Sequence, residues 1–311
     1  MKGTTVLTAE NAFNSTAPAR VGATPAFMDN RVERLTFARL LRDSALELLL
    51  TLFMLFGVTS IIRWVIGPSP ISGTIPQIQV ELLIVGASVG ILITGLILSP
   101  LGRITGGHMN PAISFAMWRF GVFPGAGVVP YIVAQLLGSV LGVVAACAVW
   151  GPVVAEPPVA YAVLQPGPGW STLALFLAET LSMAIIVLLV GACLAVHRLA
   201  PFVPWIVGGA IGMAIVMLGT STGGSVNPAR QFGPAVLSGQ TRFLWVYLLA
   251  PMAGAMLATW LRQTVQRHRF VLTHRLGGNH RTAARCRVQR LKRSASTGRE
   301  ASVEVLSDCL S

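Results

Sequence analysis

The chain has 311 residues, of which 53% are hydrophobic and only 11% are charged, whereas an ordinary soluble domain carries about 25% charged residues. This composition excludes an ordinary soluble domain and indicates a membrane protein. The formal net charge is +12, but most basic residues lie towards the two ends of the chain. The basic excess therefore indicates membrane topology and contact with anionic lipids, and we expect no nucleic-acid partner.

The order of polar and apolar segments predicts a bundle of membrane spans between two tails. Residues 1–38 are polar and lack periodicity, which is typical of a flexible tail, and residues 264–311 form a second, basic tail that we expect on the membrane surface or disordered. Six apolar segments of about bilayer-crossing length lie between them, at residues 44–66, 76–98, 127–150, 172–196, 203–220 and 243–262. The proline-rich connection 151–171 is expected to be extended rather than helical.

One eleven-residue stretch occurs twice in the chain. Residues 105–115 are TGGHMNPAISF, residues 222–232 are TGGSVNPARQF, and seven of the eleven positions are identical. Asparagine is a preferred helix N-cap, and proline is preferred as the first helical residue. Both stretches therefore predict a loop that turns into a short helix, at about 110–120 and 227–237, too short to cross a bilayer. Such a loop can lie at membrane depth only beside protein or a water-filled cavity, which indicates a pore.

The two motifs divide the chain into two repeats, at about residues 44–150 and 172–262, within one channel domain at 39–263. Each repeat has three crossings, so the second must begin on the opposite side of the membrane and have inverted topology. The two re-entrant loops then enter from opposite faces and can meet near the midplane. With both tails in the cytoplasm, twenty of the 23 Lys and Arg residues fall in cytoplasmic segments, as the positive-inside rule requires.

Paired Asn-Pro-Ala motifs on two inverted three-span repeats, the second followed by Arg230, resemble the aquaporin or major intrinsic protein family. The resemblance covers about residues 44–262. It implies an all-α membrane protein with six transmembrane helices and two re-entrant half-helices, assembled as a homotetramer in the cell membrane. It also implies a pore centre formed by Asn110, Pro111, Ala112, Asn227, Pro228 and Ala229.

The resemblance also implies a selectivity filter. Counting without gaps from the two motifs places its four positions on Gly90, Ile215, Gly224 and Arg230. Two glycines and one aliphatic residue would leave a wide, apolar opening, similar to that of nodulin-type intrinsic proteins and their bacterial relatives. The gap-free count favours a pore-lining Gly90, but Gly86 and Gly90 also form a GxxxG pattern typical of helix contacts.

Three polar residues near the motifs have structural and functional interpretations. Glu47 and Glu179 each lie in the first span of a repeat. Buried carboxylates in a membrane are candidate functional groups, but the resemblance favours a role as hydrogen-bond acceptors for the re-entrant loops. His108 precedes the first motif and is interpreted as a pore-lining contact or a loop anchor. It has no partners for a metal site, and nothing in the sequence indicates a cofactor.

We therefore expect a passive channel for small uncharged solutes such as boric acid, arsenite, glycerol or urea, with or without water, that excludes ions and protons. A water channel with relaxed selectivity is the first alternative. A proton-coupled secondary transporter using Glu47 and Glu179 is a second, and a non-conducting membrane scaffold is a third. No nucleophile with a base, metal cluster or phosphate loop is visible in the sequence, so no enzyme is expected.

Overall fold

The computed structural model describes residues 37–75, 77–265 and 271–277, and in these residues the fold is all-helical. Its α-helices are α1 Phe37–Val65, α2 Ile78–Leu98, α3 Pro100–Thr105, α4 Pro111–Arg119, α5 Gly125–Trp150, α6 Thr172–Leu194, α7 Val203–Leu218, α8 Pro228–Ser238 and α9 Leu244–Val265. Six of them, α1, α2, α5, α6, α7 and α9, are long and apolar enough to cross a membrane. The prediction of six spans is therefore confirmed.

Two of the remaining helices, α4 and α8, are only 9 and 11 residues long and begin directly after the two asparagines. The third, α3, was not predicted. Ser99 caps it by accepting a hydrogen bond from Gly102 N at 3.1 Å, and Pro100 supplies its first residue. It ends at Gly106, whose φ of 107° turns the chain into the first re-entrant loop.

The spans of each half pack closely through small residues at equivalent places. In the first half, Gly138 and Gly142 of α5 lie directly against backbone carbonyls of α1. In the second half, Gly254 of α9 lies against the Thr180 carbonyl of α6. A Cβ at any of these glycines would meet backbone atoms, so these sites require glycine for close helix approach.

The two halves meet where α2 crosses α7. A Cβ at Gly86 would lie 2.6 Å from the Gly212 carbonyl oxygen, and a Cβ at Gly90 would lie 2.7 Å from the Gly208 carbonyl oxygen. Gly208 and Gly212 in turn face the carbonyls of Gly90 and Gly86. The GxxxG pattern of α2 therefore matches a second one on α7, and the two backbones are in contact.

The connection between the two repeats differs from expectation. Residues 151–171 are not fully extended, because they contain 3₁₀ turns at Gly151–Val154 and Ala160–Ala162.

Part of the predicted basic tail also differs from expectation. Most of the two predicted tails lies outside the described residues, but residues 271–277 of the basic tail are packed against the protein rather than spread on a membrane. They lie on the face where α1 begins and α9 ends, which we call the inner face; the opposite face is the outer face.

Candidate functional site

The two asparagines of the repeated motif cap the two half-helices in the same way. Both have extended backbone conformations, with φ of −154° at Asn110 and −152° at Asn227. The Asn110 side-chain oxygen accepts a hydrogen bond from Ala112 N at 2.9 Å, and Asn227 accepts one from Ala229 N at 2.9 Å. Each half-helix thus presents its N-terminus, the positive end of its dipole, to the other.

Hydrogen bonds across the molecular centre join the two loops. Asn110 Nδ2 donates to the Val226 carbonyl at 3.0 Å, and Asn227 Nδ2 donates to the Met109 carbonyl at 2.9 Å. The two tips are therefore in direct contact. An asparagine amide has two N–H bonds, so each cross-loop contact uses only one of them.

The residue before each asparagine has a strained backbone. Met109 has a φ of 47° and Val226 a φ of 44°, a left-handed conformation that a β-branched residue such as valine rarely adopts. Strain of this kind persists only where the surroundings enforce it, and it is common at functional sites. In both loops a buried glutamate supplies that enforcement.

Glu47 and Glu179 are both 0% exposed and act as acceptors for the loops. Glu47 receives hydrogen bonds from Thr105 Oγ1, His108 N, Met109 N and Gln135 Nε2, at 2.7, 2.9, 2.8 and 3.0 Å. Glu179 receives them from Thr222 Oγ1, Ser225 N and Val226 N, at 2.7, 3.1 and 2.7 Å. The same atoms of the two motifs are thus fixed by the same residue type in both repeats.

Two tyrosines add a brace that the sequence analysis missed. Tyr131 donates from its hydroxyl to the Thr105 carbonyl at 2.9 Å, and Tyr247 donates to the Thr222 carbonyl at 2.7 Å. Each tyrosine lies in the last span of its repeat and bonds the first residue of its motif. The two tyrosines stand at matching places in the two repeats, and this match was the sequence signal that could have predicted the brace.

An outer cavity of about 230 Å³ leads from the outer face down to Asn227. Its wall consists mainly of aliphatic side chains of α1, α2 and α7, and of loop backbone. Lining residues include Met54, Val58, Ile62, Leu82, Val85, Val89, Ile93, Ile211, Ile215, Gly223, Gly224, Ser225, Asn227 and Arg230. Among the described residues, the lining includes no aromatic and no acidic side chain, and Arg230 is its one charged group.

Arg230 and Gln231 tie the outer connection to α8. Arg230 Nη1 donates to the Ala162 carbonyl at 2.6 Å. Gln231 donates through Nε2 to the Leu164 carbonyl at 2.8 Å and accepts from Leu164 N at 3.0 Å. Arg230 is therefore held at the cavity wall while remaining partly exposed to it.

The structure places three of the four predicted filter residues together, but not the fourth. Ile215, Gly224 and Arg230 line the outer cavity, whereas Gly90 lies against Gly208 at the α2–α7 crossing. In this part of α2 the cavity is lined by Val85, Val89 and Ile93, so the residue next to Gly90 that faces the cavity is Val89. The gap-free count therefore selects the wrong face of α2, since one residue rotates a side chain by about 100° around a helix. Gly90 has the helix-contact role that its GxxxG pattern also indicated.

His108 faces the inner side of the loops. Its Nδ1 lies 3.1 Å from Ser114 Oγ and its Nε2 lies 3.1 Å from the His274 carbonyl oxygen. It therefore contacts the basic tail, a partner that no local pattern indicated. Within residues 37–75, 77–265 and 271–277, no group of three or more His, Cys, Asp or Glu side chains is arranged to hold a metal ion.

Comparison with known proteins agrees with this geometry. The family model described as "Major intrinsic protein" matches residues 34–262. A probable aquaporin AqpM of Archaeoglobus fulgidus is 37% identical over 57% of this chain and 74% of its own length. A probable aquaporin NIP7-1 of Arabidopsis thaliana is 32% identical over 70% of this chain and 74% of its own length.

The fold also matches a solved structure, the X-ray structure of the aquaglyceroporin from Plasmodium falciparum. The TM-score is 0.59 at 20% identity, covering 74% of this chain and 97% of that one. Members of the matched family are multi-pass membrane channels and not enzymes. The chain therefore belongs to the major intrinsic protein, or aquaporin, family, as its paired motifs predict.

Proposed function

We propose that this protein is a passive channel for small uncharged solutes such as boric acid, arsenite, glycerol or urea, with or without water, and that it excludes ions and protons. The observation that carries the proposal is the composition of the outer cavity. Its wall is mainly aliphatic with several glycines, and its amide and guanidinium donors are Asn227 and Arg230. A neutral molecule with hydroxyl or carbonyl oxygens can accept hydrogen bonds from both while its carbon or metalloid side contacts the aliphatic wall.

The same groups oppose cations. Arg230 is a fixed positive charge at the wall, and the N-termini of α4 and α8 bring the positive ends of two helix dipoles to the centre. A water molecule that accepts hydrogen bonds from both asparagines cannot also pass a proton along a file of waters. Ion and proton exclusion therefore follows from the two loops and needs no separate gate.

We place the selectivity filter at Val89, Ile215, Gly224 and Arg230. We assign to Val89 the position that the sequence assigned to Gly90, because Val89 is the neighbouring α2 residue that lines the cavity, whereas Gly90 contacts Gly208. A valine is larger than a glycine but much smaller than an aromatic ring. The opening is thus expected to be apolar and wide enough for a triol or a trihydroxy acid.

Solute entry into proteoliposomes tests the proposal. The purified full chain is reconstituted, and the uptake of boric acid, glycerol, arsenite and urea is compared with that of empty vesicles. The assay is run at pH 7.5 and at pH 5.5. Uptake above the empty-vesicle rate, proportional to the solute gradient and saturating weakly, supports the proposal. Uptake equal to that of empty vesicles for every solute at both pH values would overturn it.

The alternatives give different results in the same vesicles. A water channel with relaxed selectivity shows fast osmotic shrinkage with an impermeant osmolyte but little solute uptake. A proton-coupled transporter accumulates solute against its gradient when a pH difference is imposed. The latter is disfavoured because the carboxylates of Glu47 and Glu179 each already accept three hydrogen bonds from their loops, and Glu47 accepts a fourth from Gln135 of α5.

We further propose that the inner face is cytoplasmic, in the plasma or inner membrane, and that four copies assemble into a homotetramer. The positive-inside count supports the orientation, and the resemblance to the family supports the tetramer. Labelling of single cysteines placed in the outer connection and after α9, with an impermeant reagent on intact cells, tests the orientation. Chemical crosslinking in membranes tests the assembly, with a band at four chain masses as the expected result.

A further inference from the structure

A seven-residue segment of the basic tail, residues 271–277, returns to the inner face and packs there. Val271 is 3% exposed and Leu276 is 1% exposed, and both belong to the same apolar core as the re-entrant loops. Leu272 N donates to the Leu194 carbonyl at 3.2 Å, at the end of α6, and Leu276 N donates to the Gly106 carbonyl at 3.0 Å. The segment is therefore bonded to both halves of the protein.

The inverted repeat identifies what this segment covers. Gly106 lies four residues before Asn110, as Gly223 does before Asn227. His108 and Ser225 likewise each lie two residues before their asparagine. Gly223 and Ser225 line the outer cavity. Their inner counterparts should line the corresponding cavity on the inner face.

The contact with α6 follows the same correspondence. Leu194 lies 15 residues after Glu179, and Ile62 lies 15 residues after Glu47, so the two are counterparts in the repeats. Ile62 lines the outer cavity. Residues 271–277 therefore contact the inner counterparts of outer-cavity residues on two separate elements. By the inverted-repeat correspondence, this is where a solute would leave or enter the inner mouth.

One side chain of the segment, His274, lies where a positive charge is poorly stabilised. Both ring nitrogens of His274 are buried and have no hydrogen-bond partner among the described residues. Its ring packs against Phe123, with centroids 5.4 Å apart, and against His108, with centroids 6.0 Å apart. Burial lowers the pKa of His274 well below its usual value of 6.5, and His108 and Arg275 lower it further.

The other titratable groups on this side do not offset that effect. His108 comes from the first re-entrant loop and, as a second imidazole, adds no negative charge. The Glu47 carboxylate of α1 is bonded to the His108 backbone rather than to His274, and the Tyr131 hydroxyl of α5 is bonded to a backbone carbonyl. Asp43, the other carboxylate near the start of α1, is paired with Arg42. A protonated His274 would therefore be buried without an anionic partner among the described residues.

We propose that residues 271–277 are an autoinhibitory plug on the inner mouth of the channel and that protonation of His274 releases it. This rests on the proposed channel function. The sign follows from the two states: the docked segment holds a neutral imidazole, whereas the released segment has an ordinary histidine that binds a proton below pH 6.5. The plug is thus docked at neutral pH and weakens by up to about tenfold per pH unit below 6.5.

Flux through the full chain tests the proposal, in proteoliposomes with the same pH inside and outside so that orientation does not matter. The wild type should take up glycerol or boric acid slowly at pH 7.5 and about tenfold faster at pH 5.5. Leu276→Asp, which places a charge in the apolar seat, should be fast at both pH values. His274→Lys should also be fast at both, and it checks the result should Leu276→Asp fold poorly.

Two further variants isolate the histidine. His274→Phe keeps an uncharged ring and should remain slow at pH 5.5. His197→Phe is the matched control, since His197 is exposed in the inner connection between α6 and α7, and it should keep the wild-type pH response.

The outcomes separate the plug from the channel. If every variant equals empty vesicles at both pH values, the channel function fails. If the wild type is as fast at pH 7.5 as Leu276→Asp and His274→Lys, the channel stands and the plug is refuted. If those two variants are fast but His274→Phe still responds to pH, the plug stands and the role of His274 is refuted.

Discussion

Replacing Glu179 with glutamine should destabilise the protein by about 3 kcal/mol. The carboxylate accepts three hydrogen bonds, from Thr222 Oγ1, Ser225 N and Val226 N. A glutamine keeps only one acceptor oxygen, so its NH₂ group must face at least one N–H or O–H donor of the loop. An unsatisfied buried donor costs about 1–3 kcal/mol, and each remaining bond loses about 1 kcal/mol of charge assistance. The easier burial of a neutral amide offsets part of this loss.

Thermal unfolding in detergent micelles, followed by tryptophan fluorescence, measures the effect. With about 2–4 °C per kcal/mol for a chain of this size, Glu179→Gln should lower the unfolding temperature by about 6 to 12 °C. Glu156→Gln is the matched control, because Glu156 is exposed in the outer connection and the same change there should shift the temperature by little.

The same variant distinguishes a structural carboxylate from a transporting one. An anchoring role predicts that stability falls and that solute uptake falls with the fraction of folded protein. An unfolding temperature equal to the wild type, together with complete loss of solute movement, would refute the anchoring role and favour the proton-coupled transporter.

Three other substitutions follow from the outer cavity and the helix crossing. Val89→Phe should reduce uptake of glycerol and boric acid severalfold while leaving osmotic water flow within about twofold, because the ring narrows an aliphatic opening. Gly90→Ala should instead lower the unfolding temperature, since its Cβ would lie 2.7 Å from the Gly208 carbonyl oxygen. Arg230→Ala should raise proton leakage, measured with a trapped pH dye, because it removes the fixed cation at the wall and the bond to the Ala162 carbonyl.

Each of these three predictions has an outcome that would contradict it. Equal loss of water and solute flow in Val89→Phe would mean that the residue does not discriminate by size. If the Gly90→Ala protein had normal stability and narrowed selectivity, Gly90 would have to be assigned to the pore lining. Unchanged proton leakage in Arg230→Ala would assign the whole barrier to the two half-helices.

Local sequence patterns predict much of this protein because the relevant forces are local. Twenty apolar residues span a bilayer wherever they stand, and an Asn-Pro pair after glycines begins a helix whatever surrounds it. The six spans, the two half-helices and the inverted repeat followed from these rules. The repeat also predicts that Asn110 and Asn227 approach each other, because an odd number of crossings forces inversion.

Other features depend on residues far apart in the chain. The acceptor role of Glu47 was expected only from the resemblance, and its partners in the loop and on α5 are set by packing. Val89 faces the cavity and Gly90 faces α7, because neighbouring residues on a helix are rotated by about 100°. A count along the sequence therefore selects the wrong face when the spacing to the motif changes by one residue.

The sequence by itself therefore determined that the chain crosses the membrane six times and folds two short helices towards its centre, because composition and capping act within a few residues. Only the tertiary structure decided which side of α2 faces the cavity and that residues 271–277 return to the inner face. Those outcomes depend on glycine contacts between helices and on buried surfaces that form only when distant segments meet.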